Sequence, residues 1–203
     1  NFNQTIFTKK NSNNQTYLEV LYNANRILLI DYFQHEKCCK ELLMNNINLI
    51  FSICKCDYEI LMIILNNELL PLNDINLIQL MIINSIHTFN NFRAIINSKY
   101  YNNDIFDYNS DIFMDIIIRN NEALKYLLEN NKISLKSLFG LDRFGDPLIV
   151  HLKHDIKNIK YIFENVNADL FYKQNKCGQT ILHQFANEDY FRDLVIMNAF
   201  GNS

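Results

Sequence analysis

Residues 125–130 read KYLLEN, and residues 160–165, 35 positions further on, read KYIFEN. The same shape recurs at 57–67 (DYEILMIILNN), at 91–98 (NFRAIINS) and at 190–197 (YFRDLVIM), and it starts at 25–33 (NRILLIDYF). Set on one apolar position, Leu28, Leu61, Phe92, Leu124, Ile159 and Leu194, the segments are spaced by 33, 31, 32, 35 and 35 residues. A shorter apolar segment precedes each one, at 17–22, 47–53, 75–84, 112–118, 148–152 and 181–186. Two short amphipathic helices cannot bury their own apolar faces, whereas stacked copies make one continuous core. The expected fold class is therefore all-α: an α-solenoid of about six stacked helix-turn-helix units. They fall roughly at 14–36, 44–70, 74–99, 110–138, 142–171 and 175–200, within one domain spanning 1–203.

Composition agrees with this reading by exclusion. Only four glycines and two prolines occur in 203 residues, too few for the special-angle turns of sandwiches and barrels. No Gly-rich phosphate-binding run is present. The net charge of −3 argues against nucleic acid as a partner, because phosphate binding needs clustered Lys and Arg. No apolar run approaches the ~20 residues of a membrane span. The first sixteen residues are polar and unpatterned, and read as part of something longer or as a leader into the first helix, rather than as a signal peptide. Five cysteines, an odd number with four in close pairs, fit a reducing cytoplasm better than a disulfide framework.

The C-terminal third carries a more specific signal. Residues 175–186 read NKCGQTILHQFA, and residues 142–149, one period earlier, read DRFGDPLI. Gly145 and Gly178 are 33 residues apart. This resembles the ankyrin-repeat signature, N/D-x-x-G-x-T-P-L-H-x-A, and Asn167-Ala168-Asp169 resembles the family's exit from the second helix. The resemblance covers about residues 110–197. Pro147 stands where Thr is expected, Ile181 stands where Pro is expected, and the first four units lack the turn signature.

The resemblance implies mechanical roles. Gly145 and Gly178 are expected at positive φ. Asp142 and Asn175 should close their turns through their side chains. Thr180 should cap a helix by accepting from the His183 N–H, and Leu182 and Phe185 should point between helices. The function it implies is non-catalytic binding of another protein through a concave surface of hairpin tips and first helices. No cofactor is implied, and the location is cytoplasmic. Arg143, Phe144, Lys173, Gln174 and Lys176 would occupy those tips. Many ankyrin proteins of intracellular pathogens or viruses act on host proteins, which makes a host-directed role and a host-cytoplasmic location part of the same expectation.

Other groups have two readings each. Tyr100, Tyr101, Phe106 and Tyr108 lie in a connector and read either as a packed irregular loop or as partner contacts. His35, Cys38, Cys39, Cys54 and Cys56 offer zinc-ligand chemistry, or are small buried hydrophobes. His151, His154 and Asp155 resemble a general-base dyad or a solvated turn. Cys177 with His183 suggests a thiol and base, or simply the turn. Asp104, Asp107, Asp111 and Asp115 read as caps and solvated charge, with Asp111 capping the helix at 112. Alternative functions are a substrate-docking part of a larger effector enzyme and a small Cys/His zinc protein.

Overall fold

The computed structural model describes residues 9–35, 40–71, 74–106, 110–152, 155–186, 188 and 192, with the side chains of residues 110, 111, 156 and 168 excepted. The described residues are helical and contain no strand. They form two compact units, residues 1–102 and 103–203.

The first unit contains α1 (Tyr17–Ala24), α2 (Arg26–Gln34), α3 (Lys40–Met44), α4 (Ile47–Cys56), α5 (Tyr58–Asn66), α6 (Ile75–Ser85) and α7 (Phe89–Ile96). Three pairs are evident: α1 with α2, α4 with α5, and α6 with α7. First helices also pack on first helices, α1 against α4 and α4 against α6, while second helices pack α2 against α5 and α5 against α7. The second unit contains α8 (Ser110–Arg119), α9 (Asn121–Glu129), α10 (Ile156–Asn165) and α11 (Ile181–Phe185). Among the described residues, one 3-10 helix precedes them, at Asn103–Phe106, and three lie between them, at Leu135–Phe139, Leu148–Leu152 and Ala168–Tyr172. α8 pairs with α9, and the helix at 148–152 packs on α8, α10 and α11. α8 begins at Ser110, so Asp111 lies inside the helix rather than at its cap.

Each second helix starts from a corner of one conformation. Asn25, Asp57, Thr88, Asn120 and Asp155 have φ between −152° and −105° and ψ between 78° and 91°. Four of the five cap their helix: Asn25 Oδ1 accepts from the Leu28 N–H at 3.1 Å, Asp57 Oδ1 from Ile60 at 3.1 Å, Asn120 Oδ1 from Ala123 at 3.0 Å and Asp155 Oδ1 from Asn158 at 3.2 Å. Thr88 instead donates its hydroxyl to the Lys55 carbonyl at the end of α4.

The corner sets which residue is buried. Four positions after it stand Leu29, Leu61, Phe92, Leu124 and Ile159, each at 0% exposure. This corrects the alignment at the first unit, where Leu28 is 45% exposed. With Leu28 and Leu29 adjacent, the apolar pattern alone fits either register, and the cap at Asn25 decides it. The stripes Leu124, Leu127, Leu128 and Ile159, Ile162, Phe163 are buried as their i, i+3, i+4 spacing predicts. Leu194 lies outside the described residues.

A cluster of phenylalanines sits within the mainly aliphatic core of the second unit. The Phe171 ring lies 4.0 Å from Phe163 and 5.4 Å from Phe139, centroid to centroid, and Phe163 lies 6.3 Å from Phe185. These contacts tie the 3-10 segments to α10 and α11. In α11 the fully buried positions are Ile181 and Phe185, while Leu182 is only half-buried.

The corrected register is directly testable. Leu29→Ala should cost about 2–5 kcal/mol in urea unfolding, because it leaves a cavity. Leu28→Ala should cost less than about 1 kcal/mol. Equal losses would refute the assignment.

Candidate interaction surface

Two hairpin turns of the second unit hold the sequence's clearest signal, and both are built by one side chain. Asp142 Oδ1 accepts from the N–H groups of Phe144 (2.8 Å) and Asp146 (2.9 Å). Asn175 Oδ1 accepts from Cys177 and Gln179, both at 2.9 Å. In each turn the same residue's N–H donates to the carbonyl four residues on, and its carbonyl accepts from the glycine N–H. Gly145 and Gly178 have φ of 88° and 75°, a region that side chains disfavour. Isolated bridges close the turns, Leu141 to Pro147 and Gln174 to Thr180.

A third turn of this kind stands in the first unit, in the stretch that looks unpatterned in sequence. Asn11 Oδ1 accepts from Asn13 and Gln15, both at 2.9 Å, and Lys10 bridges to Thr16. Asn14 takes the glycine position at φ 61°. Asn is the residue after Gly that best tolerates that region, so the turn needs no glycine and leaves no glycine mark. Thr16 then caps α1, accepting from the Glu19 N–H at 3.3 Å while Glu19 Oε2 accepts from the Thr16 N–H at 2.7 Å. Thr180 and His183 repeat that box at α11: the hydroxyl accepts from the His183 N–H at 3.4 Å, and His183 Nδ1 lies 3.3 Å from the Thr180 N–H.

The two turns of the second unit are tied to each other. Asp146 Oδ1 accepts from Asn175 Nδ2 at 2.8 Å and from Gln184 Nε2 at 2.7 Å. The Lys176 stem lies against Gly145, where a Cβ would stand 2.4–2.6 Å from three of its carbons. Arg143, Phe144, Lys173, Gln174 and Lys176 are all exposed on these turns. Phe144 is 64% exposed, with the Arg143 guanidinium 4.8 Å above its ring. Sequence reasoning missed Tyr172, also 64% exposed, and Leu141. Tyr172 follows the buried Phe171, so one side of the short helix at 168–172 turns out to solvent.

The connector aromatics divide differently. Tyr100 and Phe106 are buried, at 6% and 3% exposure, which corrects their reading as surface contacts. Phe106 packs 5.4 Å from Phe113. A ring released into a connector still gains by leaving water, and here core is within reach. Tyr101 is half-buried, and Tyr108 lies outside the described residues.

The remaining chemical groupings are held in structural contacts. His151 Nε2 meets Asp142 Oδ2 at 2.8 Å, whereas Asp155 caps α10; His154 lies outside the described residues. Burial works against ionisation of Asp142, but hydrogen bonds from His151 and from the Asp146 and Phe144 amides outweigh it and hold the carboxyl below the ordinary Asp range. Cys54 is buried in α4, and burial pushes its thiol up to about 12. Cys56 is exposed, with Sγ 3.2 Å from the Tyr22 hydroxyl, and His35 is exposed at the end of α2. Cys38 and Cys39 lie outside the described residues. Among the described residues no three His, Cys, Asp or Glu side chains converge, and no helix is long and apolar enough to cross a membrane. A groove of about 530 Å³ lies between α5 and α7, bordered by Tyr58, Met62, Arg93 and the Glu68–Lys99 pair. No family model, curated protein or solved structure matches the chain.

Asn14 predicts how the glycine turns respond. Gly178→Asn should be nearly neutral in thermal unfolding, and Gly178→Ala should cost about 1–2 kcal/mol. Gly145→Ala should cost more, because Lys176 must also move. Asp142 predicts a pH effect. A carboxyl held below its unfolded value of about 3.9 contributes stability that is complete above that value and is lost as pH falls through the lowered folded value. Asp142→Asn keeps the accepting oxygen, as Asn11 and Asn175 do, but removes the charge. The variant should be less stable than the parent at neutral pH, and the gap should close below about pH 4 in circular-dichroism melts. A gap that persists into acid would show that the Asp142 charge contributes nothing.

Proposed function

We propose that this chain is a non-catalytic protein-binding module, a divergent ankyrin-like α-solenoid that receives its partner on hairpin tips and first helices. The observation that carries the reading is the pair of turns at 141–147 and 174–180. They share one hydrogen-bond pattern, they are cross-braced through Asp146, and they leave Arg143, Phe144, Lys173, Gln174 and Lys176 exposed. A braced turn loses little conformational freedom when a partner docks, so its contacts are not spent on ordering. An exposed aromatic stacked under a guanidinium is the kind of anchor that dominates interface energy. The recurring corners at Asn25, Asp57, Thr88, Asn120 and Asp155, and the packing of first helices on first helices within the first unit, support the stacked reading. The acid and base groups beside the turns, Asp142, Asp146, His151 and His183, serve the turns and caps themselves, which favours binding over chemistry.

Affinity capture with the full chain and with a Phe144→Ala/Lys176→Glu variant tests this. The parent should retain a set of proteins that the variant loses, while both give the same circular-dichroism melt. Identical sets would reject the surface.

A further inference from the structure

Resting on that reading, we infer that the partner segment received by the turns at 141–147 and 174–180 is an acidic peptide with apolar or aromatic residues among its carboxylates. The chain as a whole has a net charge of −3, so a cationic patch is not what its composition would place at random. Yet Arg143, Lys173 and Lys176 are all exposed on this one pair of turns. None of the three forms an ion pair among the described residues.

The two carboxylates of the turns themselves are engaged within them. Asp142 is buried, with its oxygens held by two amides and His151. Asp146 gives one oxygen to both Asn175 and Gln184. The exposed Asp169 stands at the start of the helix that ends at Tyr172. The first turn satisfies its backbone with the Asp142 carboxylate, the second with the neutral Asn175 amide oxygen, and both present cations outward. Lys176 reaches the first turn because its stem crosses Gly145, next to the Arg143–Phe144 stack. That stack offers a cationic edge and an apolar ring side by side, and Tyr172 flanks the second turn.

A peptide fits this better than nucleic acid. Three cations form a short local patch, whereas a phosphate backbone is bound by an extended run of Lys and Arg.

The test uses the full chain and fluorescence anisotropy with short labelled probes. One peptide pool mixes Asp and Glu with Leu and Tyr, a second replaces the acids by Asn and Gln, and a third replaces them by Lys. A single-stranded RNA of similar length is the fourth probe. The acidic pool should bind best, and its affinity should fall as salt rises. Arg143→Gln/Lys176→Gln should weaken it about tenfold or more with an unchanged melting curve. Phe144→Ala should weaken the acidic and the amide pool alike. Equal binding of the acidic and amide pools, with loss on Phe144→Ala, would overturn the acidic preference and leave the surface standing. Tighter binding of RNA would overturn it in favour of nucleic acid. No binding of any peptide pool, or binding indifferent to all these variants, would reject the surface itself.

Discussion

A helix leaves its first backbone N–H groups without partners, and the α-helices of the described residues are only five to eleven residues long. Helices of that length are marginal in water, so their ends matter as much as their faces. One interaction recurs at those ends: a short side-chain oxygen accepts from a backbone N–H two to four residues ahead. Asn25, Asp57, Asp74, Asn120 and Asp155 use it to start helices, and Thr16 and Thr180 use it in capping boxes. Asn11, Asp142 and Asn175 use it twice each to close turns. Each contact stabilises by roughly 1 kcal/mol. Its larger consequence is geometric, since it fixes where the chain turns and which residue follows into the core.

Packing is built on these corners. The residue after Asn25 is Arg26, whose guanidinium donates to both Asp57 oxygens, at 2.6 and 2.8 Å, and to Glu59 at 2.8 Å. The cap of one pair is thereby joined to the start of the neighbouring second helix. Asp57 bears its charge inside this arrangement: burial opposes ionisation, and the Arg26 hydrogen bond together with the Ile60 and Glu59 amides reverses it. The third pair docks differently. Asn91 is fully buried and donates to the carbonyls of Ile53 and Cys54, and Thr88 donates to that of Lys55. These are carbonyls of the last turn of α4, and that of Ile53 also accepts from the Asp57 N–H at 2.8 Å. The same corner conformation thus supports an ion pair at one junction and a carbonyl cap at the next.

How much of this the sequence revealed follows from what each feature costs to disguise. Apolar spacing in the second helices was legible, because a buried Ile or Leu cannot be replaced by a polar residue without a large loss. The two glycine turns were legible for a similar reason. The register at Leu28 and Leu29 was not, because two adjacent leucines satisfy the same pattern and only the cap distinguishes them. Tyr100 and Phe106 misled because aromatic rings in a connector have the same composition whether they reach core or partner. α3 and the 3-10 helices at 103–106, 135–139 and 168–172 are too short to show a period, whereas the one at 148–152 coincides with an apolar segment found from the repeat. Of the surface, Arg143, Phe144 and Lys176 could be placed by counting from the glycines, while Tyr172 could not, because its exposure depends on how Phe171 packs.

The abundance of Asn explains the most consequential blind spot. The excess looks like compositional bias, and on many exposed helix faces it is inert: Asn23, Asn84, Asn130 and Asn165 each merely donate to the carbonyl four residues back. The same residue type nevertheless meets the scaffold's polar requirements. It supplies the accepting oxygen of Asp at positions 11, 25, 120 and 175, the donor amide at position 91, and the tolerance of positive φ at position 14. A chain rich in Asn can therefore build the turns and corners that other chains mark with Asp and Gly, and it does so without the marks. What it cannot replace with Asn is burial and net charge. The apolar stripe and the exposed cations of the two braced turns consequently stand out against a background in which many of the polar signals are written in Asn.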